Sequence, residues 1–119
     1  MLVDNLARCR QALDEFKPDV VVVWGDDQYE NFREEIIPPF CVLAYGDVEA
    51  EPFELMTERG SPNAWGLPDD TTITLHGDPA NARLLTTALI ERGFDMAYSY
   101  ERRKDSAFPH AIANTQLFL

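Results

Sequence analysis

Four consecutive valines followed by a tryptophan, Val20-Val21-Val22-Val23-Trp24, leave few architectures open to this chain. Side chains of a strand alternate between its two faces, so a β-branched run without polar alternation fits a strand covered on both sides, as in a parallel sheet flanked by helices. Pro18 stops any helix that precedes the run, and Gly25 ends it. Upstream, Leu2, Leu6, Cys9, Leu13 and Phe16 recur at steps of four and three, while Asp4, Arg8, Gln11 and Glu15 fall elsewhere. That spacing predicts a surface helix with one buried face.

Phe40-Cys41-Val42-Leu43-Ala44-Tyr45, bounded by Pro38-Pro39 and Gly46-Asp47, reads as a second strand, and the residues between the two runs as a loop or short helical turn. Residues 49–70 form a long loop excursion with turn signals at Gly60-Ser61-Pro62-Asn63 and Leu67-Pro68-Asp69-Asp70. Its large apolar anchors, Phe53 and Trp65, argue against a pure linker, and long loops in compact domains are usually lids or disordered segments. Ile73 and Leu75 share one face of an edge strand over Thr71–Leu75. The clearest helix follows: Asp78 as N-cap, Pro79 at its first position, Ala82, Leu85, Ala88 and Leu89 as a buried stripe, and Gly93 as the terminating residue. Phe94–Tyr100 then alternates as a strand. Strand, helix and strand in this order predict a single α/β domain over residues 1–119, a mostly parallel sheet with flanking helices and right-handed βαβ crossovers.

Composition narrows the partners. With 10 Lys+Arg against 21 Asp+Glu the net charge is −11, while 45% of the residues are hydrophobic, so the chain is apolar enough to bury a core and too acidic to favour nucleic acid or anionic membranes. No apolar run approaches the roughly 20 residues of a membrane span, and residues 1–16 lack the pattern of a secretory signal, which makes a cytoplasmic location the expectation. Cys9 and Cys41 are far apart and outside any CxxC pair, hence expected as buried thiols. The apolar ending Leu117-Phe118-Leu119 predicts an oligomer, or a core finished by the remainder of a longer chain.

The densest polar constellation is Gly25-Asp26-Asp27-Gln28-Tyr29-Glu30-Asn31-Phe32, directly after the valine run. Ligands of open α/β sheets bind outside the carboxyl ends of strands. Asp26, Asp27 and Glu30 offer hard oxygen ligands for a divalent cation, and Gln28 and Asn31 could orient a polar ligand; a solvated acidic turn capping a short helix from Asn31 to Ile36 explains the same residues. Of the two histidines, His76 at a helix start reads as structural, whereas His110, in Phe-Pro-His-Ala after a strand and a charged turn, suits acid/base or ligand-binding work. A Gly-x-Ser-x-Gly elbow, a phosphate loop and a dinucleotide fingerprint are all missing from the sequence.

Taken together, Asp19-Val-Val-Val-Val-Trp-Gly-Asp-Asp-Gln-Tyr-Glu-Asn-Phe32, Ile37-Pro-Pro-Phe40, the Gly77-Asp-Pro helix through Gly93-Phe94-Asp95, and Phe108-Pro-His110 resemble the class III extradiol ring-cleavage dioxygenases, relatives of the protocatechuate 4,5-dioxygenase catalytic subunit. The resemblance covers nearly the whole chain but only an internal portion of that longer subunit, so the domain is expected to be incomplete relative to the family. It implies a non-haem Fe(II) enzyme that opens a catechol-type aromatic ring with O₂, its iron held by two histidines and a glutamate. Aligning on Phe32 sets Gln28 where the family has one of those histidines; the other falls upstream of the first helix and the glutamate downstream of Leu119. The implied site therefore has Asp27, Gln28 and Glu30 as metal candidates, Tyr29 and Asn31 as substrate-binding candidates and His110 as the catalytic residue, with Fe(II) as cofactor or none in this chain. A truncated or metal-site-degenerate dioxygenase is the leading expectation. The alternative is a non-catalytic small-molecule binding or interaction module that uses the acidic edge and residues 49–70.

Overall fold

A computed structural model describes residues 2–61, 66–103 and 108–119. Its elements are α1 (Leu2–Phe16), β1 (Cys41–Leu43), β2 (Val48–Ala50), α2 (Glu54–Glu58), β3 (Ile73–Leu75), α3 (Pro79–Glu91), β4 (Ala97–Ser99) and α4 (His110–Phe118). β1 and β4 pair in parallel, Cys41 opposite Ala97 and Leu43 opposite Ser99, and the ladder is extended by Ala44 N–H to Ser99 O at 2.7 Å and Ala97 N–H to Phe40 O at 3.0 Å. Parallel neighbours need a long connection. Here it contains α3, which packs against β1. β2 and β3 form a separate antiparallel ribbon, Val48 opposite Leu75 and Ala50 opposite Ile73. The expected α/β class with a parallel crossover is therefore present, as an incomplete domain of two small sheets.

Local chemistry accounts for the best-formed helix. The Asp78 carboxylate accepts the Asn81 N–H at 3.0 Å, Pro79 occupies the first turn where no N–H is needed, and Gly93 takes φ +84° just past the end. Of its expected stripe, Ala82, Ala88 and Leu89 are half-buried and Leu85 is exposed, while Thr86 is buried with its hydroxyl donating to Ala82 O at 2.9 Å. Residues 49–70 include the end of β2, all of α2 and the fully buried Phe53. Trp65, Pro62 and Asn63 lie outside the described residues, as do Lys104 and Asp105 of the charged turn. α4 docks on β3 and α1, and its Ala113 joins Ala50 and Leu75 in a core flanked by Ile73 and Phe108.

Three expectations need correction. The valine run forms no strand and has no ladder partner among the described residues, and Val22 and Trp24 are 69% and 83% exposed. A strand exists only where another strand supplies hydrogen bonds, and β1 gives its pairing to β4. The α1 helix forms as read, yet its stripe is not buried: Leu6 and Leu13 are half-covered, and Cys9 and Phe16 are exposed. Helical periodicity specifies which residues share a face, but a neighbour must cover that face. Cys41 is half-buried and burial pushes its thiol pKa up, whereas Cys9 is an exposed free thiol. The Cα radius of gyration, 15.6 Å, exceeds the roughly 13.5 Å of a well-packed chain of this length, in line with these uncovered apolar faces.

Candidate functional site

The acidic turn is held by one side chain. The Asp27 carboxylate accepts three backbone N–H groups, from Glu30 and Asn31 on Oδ1 at 2.8 and 3.1 Å and from Phe32 on Oδ2 at 2.9 Å. This is the self-capping that a short carboxylate offers a turn. Residues 31–36 do not extend into the short helix that a capped turn invites, forming only bends and a turn closed by Ile36 N–H to Arg33 O at 3.4 Å. Tyr29 adopts a left-handed backbone, φ +61°, and its side chain is exposed, with the hydrogen-bonded Glu34 carboxylate holding its phenol above the ordinary pKa. Asn31 is buried and donates to the Tyr45 hydroxyl at 3.3 Å; that hydroxyl donates to Ser99 Oγ at 3.1 Å, and Ser99 donates on to Glu101 O. The acidic turn is thereby tied to the end of β4. Gly25 sits against α4, where an added Cβ would lie 3.0 Å from the Ala111 Cβ.

That docking brings Glu30 to the start of α4. Its side chain, 7% exposed, accepts the His110 backbone N–H on Oε2 at 3.0 Å and meets His110 Nδ1 with Oε1 at 2.5 Å. Pro109, the N-cap residue, has no side-chain cap, so Glu30 supplies the carboxylate that a helix N-terminus favours. A carboxylate at Nδ1 places a proton there and leaves Nε2 as the open ring nitrogen. The His110 ring is 43% exposed and borders a cleft of about 320 Å³. Gln28, Glu30, Arg59, Arg102, Phe108 and Asn114 also line it, together with the apolar Ala50 and Ala113. Phe108 is oriented by edge-to-face contact with Tyr45, ring centroids 6.2 Å apart.

Of the sequence-derived candidates, Gln28, Glu30 and His110 meet at this cleft, while Asp27, Tyr29 and Asn31 are not among its lining residues. The three metal candidates do not fit an iron ion as arranged. Asp27 is committed to three N–H donors and both Glu30 oxygens are engaged by His110, which leaves Gln28, whose Nε2 donates to Asp26 Oδ2 at 3.0 Å, with a neutral amide oxygen as the uncommitted donor. Among the described residues no group of three His, Cys, Asp or Glu side chains is placed to hold a metal. Arg59, Arg102 and Asn114 carried no local signal, because each enters the cleft only through long-range closure, whereas Phe108 was marked by its place in Phe108-Pro-His110. At His76, Nδ1 meets Asp47 Oδ2 at 3.2 Å, and the His76 backbone N–H donates to Gln116 of α4 at 2.9 Å.

The cleft thus brings a His–Glu pair to the N-terminus of α4, beside the end of β2. The chain is similar to proteins named 2,3-dihydroxyphenylpropionate/2,3-dihydroxicinnamic acid 1,2-dioxygenase. The Comamonas testosteroni protein is 29% identical over 107 residues, covering 90% of this chain and 28% of the relative. The Mycobacterium sp. (strain MCS) protein is 32% identical over 114 residues, 92% of this chain and 30% of the relative. That of Mycolicibacterium smegmatis is 32% identical over 98 residues, 82% and 26% respectively. The chain thus spans under a third of the length of the curated relatives it matches. The likeness supports the extradiol dioxygenase family and no particular member of it. No family model matches the chain, and no solved structure matches it significantly. Among the described residues no helix is long and apolar enough to cross a membrane.

Proposed function

We propose that this chain forms the diol-binding, proton-accepting part of an extradiol-type ring-cleavage dioxygenase acting on a catechol-type aromatic. The observation that carries the reading is the Glu30–His110 pair beside Phe108 in the cleft. A ring diol against Phe108 would give a phenolic proton to His110 Nε2, and Glu30 on Nδ1 would offset the imidazolium charge that results. General-base assistance of this kind contributes about 10²–10⁴-fold to such reactions. The relatives' names support oxygen-dependent chemistry on an aromatic diol. As arranged, Asp27, Gln28 and Glu30 do not fit iron, and the proton transfer to His110 needs only this chain's own residues.

A phenolate absorbs at longer wavelength than its phenol, so anaerobic ultraviolet difference spectra of catechol with this chain test the proposal directly. The expected result is a red shift that His110→Ala abolishes and Glu30→Gln weakens. An equal shift with His110→Ala, or none with the unaltered chain, would overturn it. The occupied carboxylates also favour a second reading, a binding module with no metal requirement. That module would show the same thermal stabilisation by a dihydroxybenzoate with or without Fe(II), since a ligand selective for the folded state raises the midpoint by mass action.

A further inference from the structure

We infer that Tyr45 is a positioning residue for the His110 base: its ring steadies Phe108, and its hydroxyl ties the turn that carries Glu30 to the end of β4. The side chain is 5% exposed and is not among the residues that line the cleft, so it can act only through those that do. Its backbone is pinned on two sides. The preceding residue donates, Ala44 N–H to Ser99 O at 2.7 Å, and Gly77 lies so close to the Tyr45 carbonyl that a Cβ there would not fit. From this fixed start the ring meets Phe108 edge to face, centroids 6.2 Å apart and planes at 67°. The hydroxyl both accepts and donates, taking the Asn31 Nδ2 proton at 3.3 Å and giving its own to Ser99 Oγ at 3.1 Å. A phenylalanine would fill nearly the same volume, so the hydroxyl's contribution lies in what it connects. At one end is Asn31, 3% exposed and adjacent to Glu30; at the other is Ser99, the last residue of β4, paired with Leu43 of β1. Phe108 enters α4 through Pro109, whose side chain is fully buried, directly before His110. One buried side chain therefore registers both segments of the Glu30–His110 pair, which are 80 positions apart.

A carboxylate supports a ring proton only while it is held in line with it, because hydrogen bonds weaken steeply with misalignment. The inference rests on the His110 reading for its place in the reaction, and its test has one readout that needs no catechol. In the ligand-free chain the His110 Nδ1 proton held by Glu30 should give a downfield proton NMR resonance, identified by its loss in His110→Ala and in Glu30→Gln. Tyr45→Phe keeps the ring against Phe108 and removes only the hydroxyl. That resonance should then move upfield and exchange with water about fivefold faster, the population change expected from one neutral hydrogen bond. The anaerobic catechol red shift should fall in parallel, and the double variant Tyr45→Phe/Glu30→Gln should be no weaker than Glu30→Gln alone, because both act through one carboxylate. A tyrosine serving packing alone would lower the urea midpoint and leave both signals of the folded chain as they were. Ser99→Ala, which leaves Tyr45 in place but removes the oxygen to which it donates, should act in the same direction and carries the test if Tyr45→Phe does not fold. Unmoved signals in both variants, or a red shift that falls further in the double variant, overturn the positioning role. A resonance that responds to Tyr45→Phe, beside a red shift indifferent to His110→Ala, overturns the reaction and leaves the positioning of the pair standing. Absence of the downfield resonance from the unaltered chain overturns both.

Discussion

Replacing Asp27 separates a turn-holding carboxylate from a metal ligand. Oδ1 accepts two backbone N–H groups and Oδ2 a third, so the substitutions are graded. Asp27→Asn keeps a carbonyl for Glu30 and Asn31 but sets an NH₂ group against the Phe32 N–H, removing one charge-assisted bond at about 1.5–3 kcal/mol. Asp27→Ala removes all three. Because a part-buried turn lets water reach some of the released N–H groups, the total should be about 3–5 kcal/mol rather than the full sum. Against a usual stability of about 5–15 kcal/mol, the alanine variant should lose a large share of the total. Urea titration followed by far-ultraviolet circular dichroism reads both values. The catechol difference spectrum should weaken in the same order, since Glu30 is seated by this turn. A carboxylate kept for metal binding would behave oppositely, its loss leaving the metal-free chain as stable or more so. Equal effects of the two substitutions, or losses under about 0.5 kcal/mol for both, would refute the reasoning.

Other outcomes follow from neighbouring contacts. A Cβ on Gly77 would lie 2.3 Å from Tyr45 O and 2.7 Å from Gly46 O, both backbone atoms, so Gly77→Ala should cost about 1–3 kcal/mol in urea titration while Gly46→Ala, with nothing within 4 Å, costs little. Hydrogen bonds from the Gly77 N–H and from His76 hold Asp47 below its ordinary value of 3.8. Its folded pKa is therefore below the unfolded one, and the stability it contributes is present above pH 3.8 and lost as pH falls through the folded value. Asp47→Asn should accordingly destabilise near neutrality and converge with the unaltered chain in acid, as midpoint against pH would record. Anaerobic dialysis against Fe(II) should leave well under one equivalent bound, and one tightly held equivalent by metal analysis would contradict the committed geometry of Asp27, Gln28 and Glu30.

Much of the fold was legible because its signals are local. Asp78, Pro79 and Gly93 mark the ends of α3 through contacts within a turn, and the alternation of Ile73 and Leu75 matches the half-buried and buried positions of β3. The steps of α1 were equally readable. The identity of His110 as a residue of interest was visible, as was the acidic turn after the valine run. Their partnership was not: Glu30 and His110 are 80 positions apart, and no pattern in either neighbourhood encodes the other.

By itself, then, the sequence determined the α/β class, the places of α1, β1, β3, α3 and β4 but not of β2, α2 and α4, and a charge that turns away polyanions, all consequences of backbone preference and side-chain chemistry acting over a few residues. Only tertiary structure decided that the valine run has no ladder partner among the described residues, that Asp27 closes the turn by accepting three backbone N–H groups, and that arginines from two distant turns border the histidine's cleft. Those outcomes depend on which surfaces meet. A strand needs a neighbour's hydrogen bonds, a carboxylate goes to whichever donors reach it first, and a cleft exists only between elements that the chain has folded together.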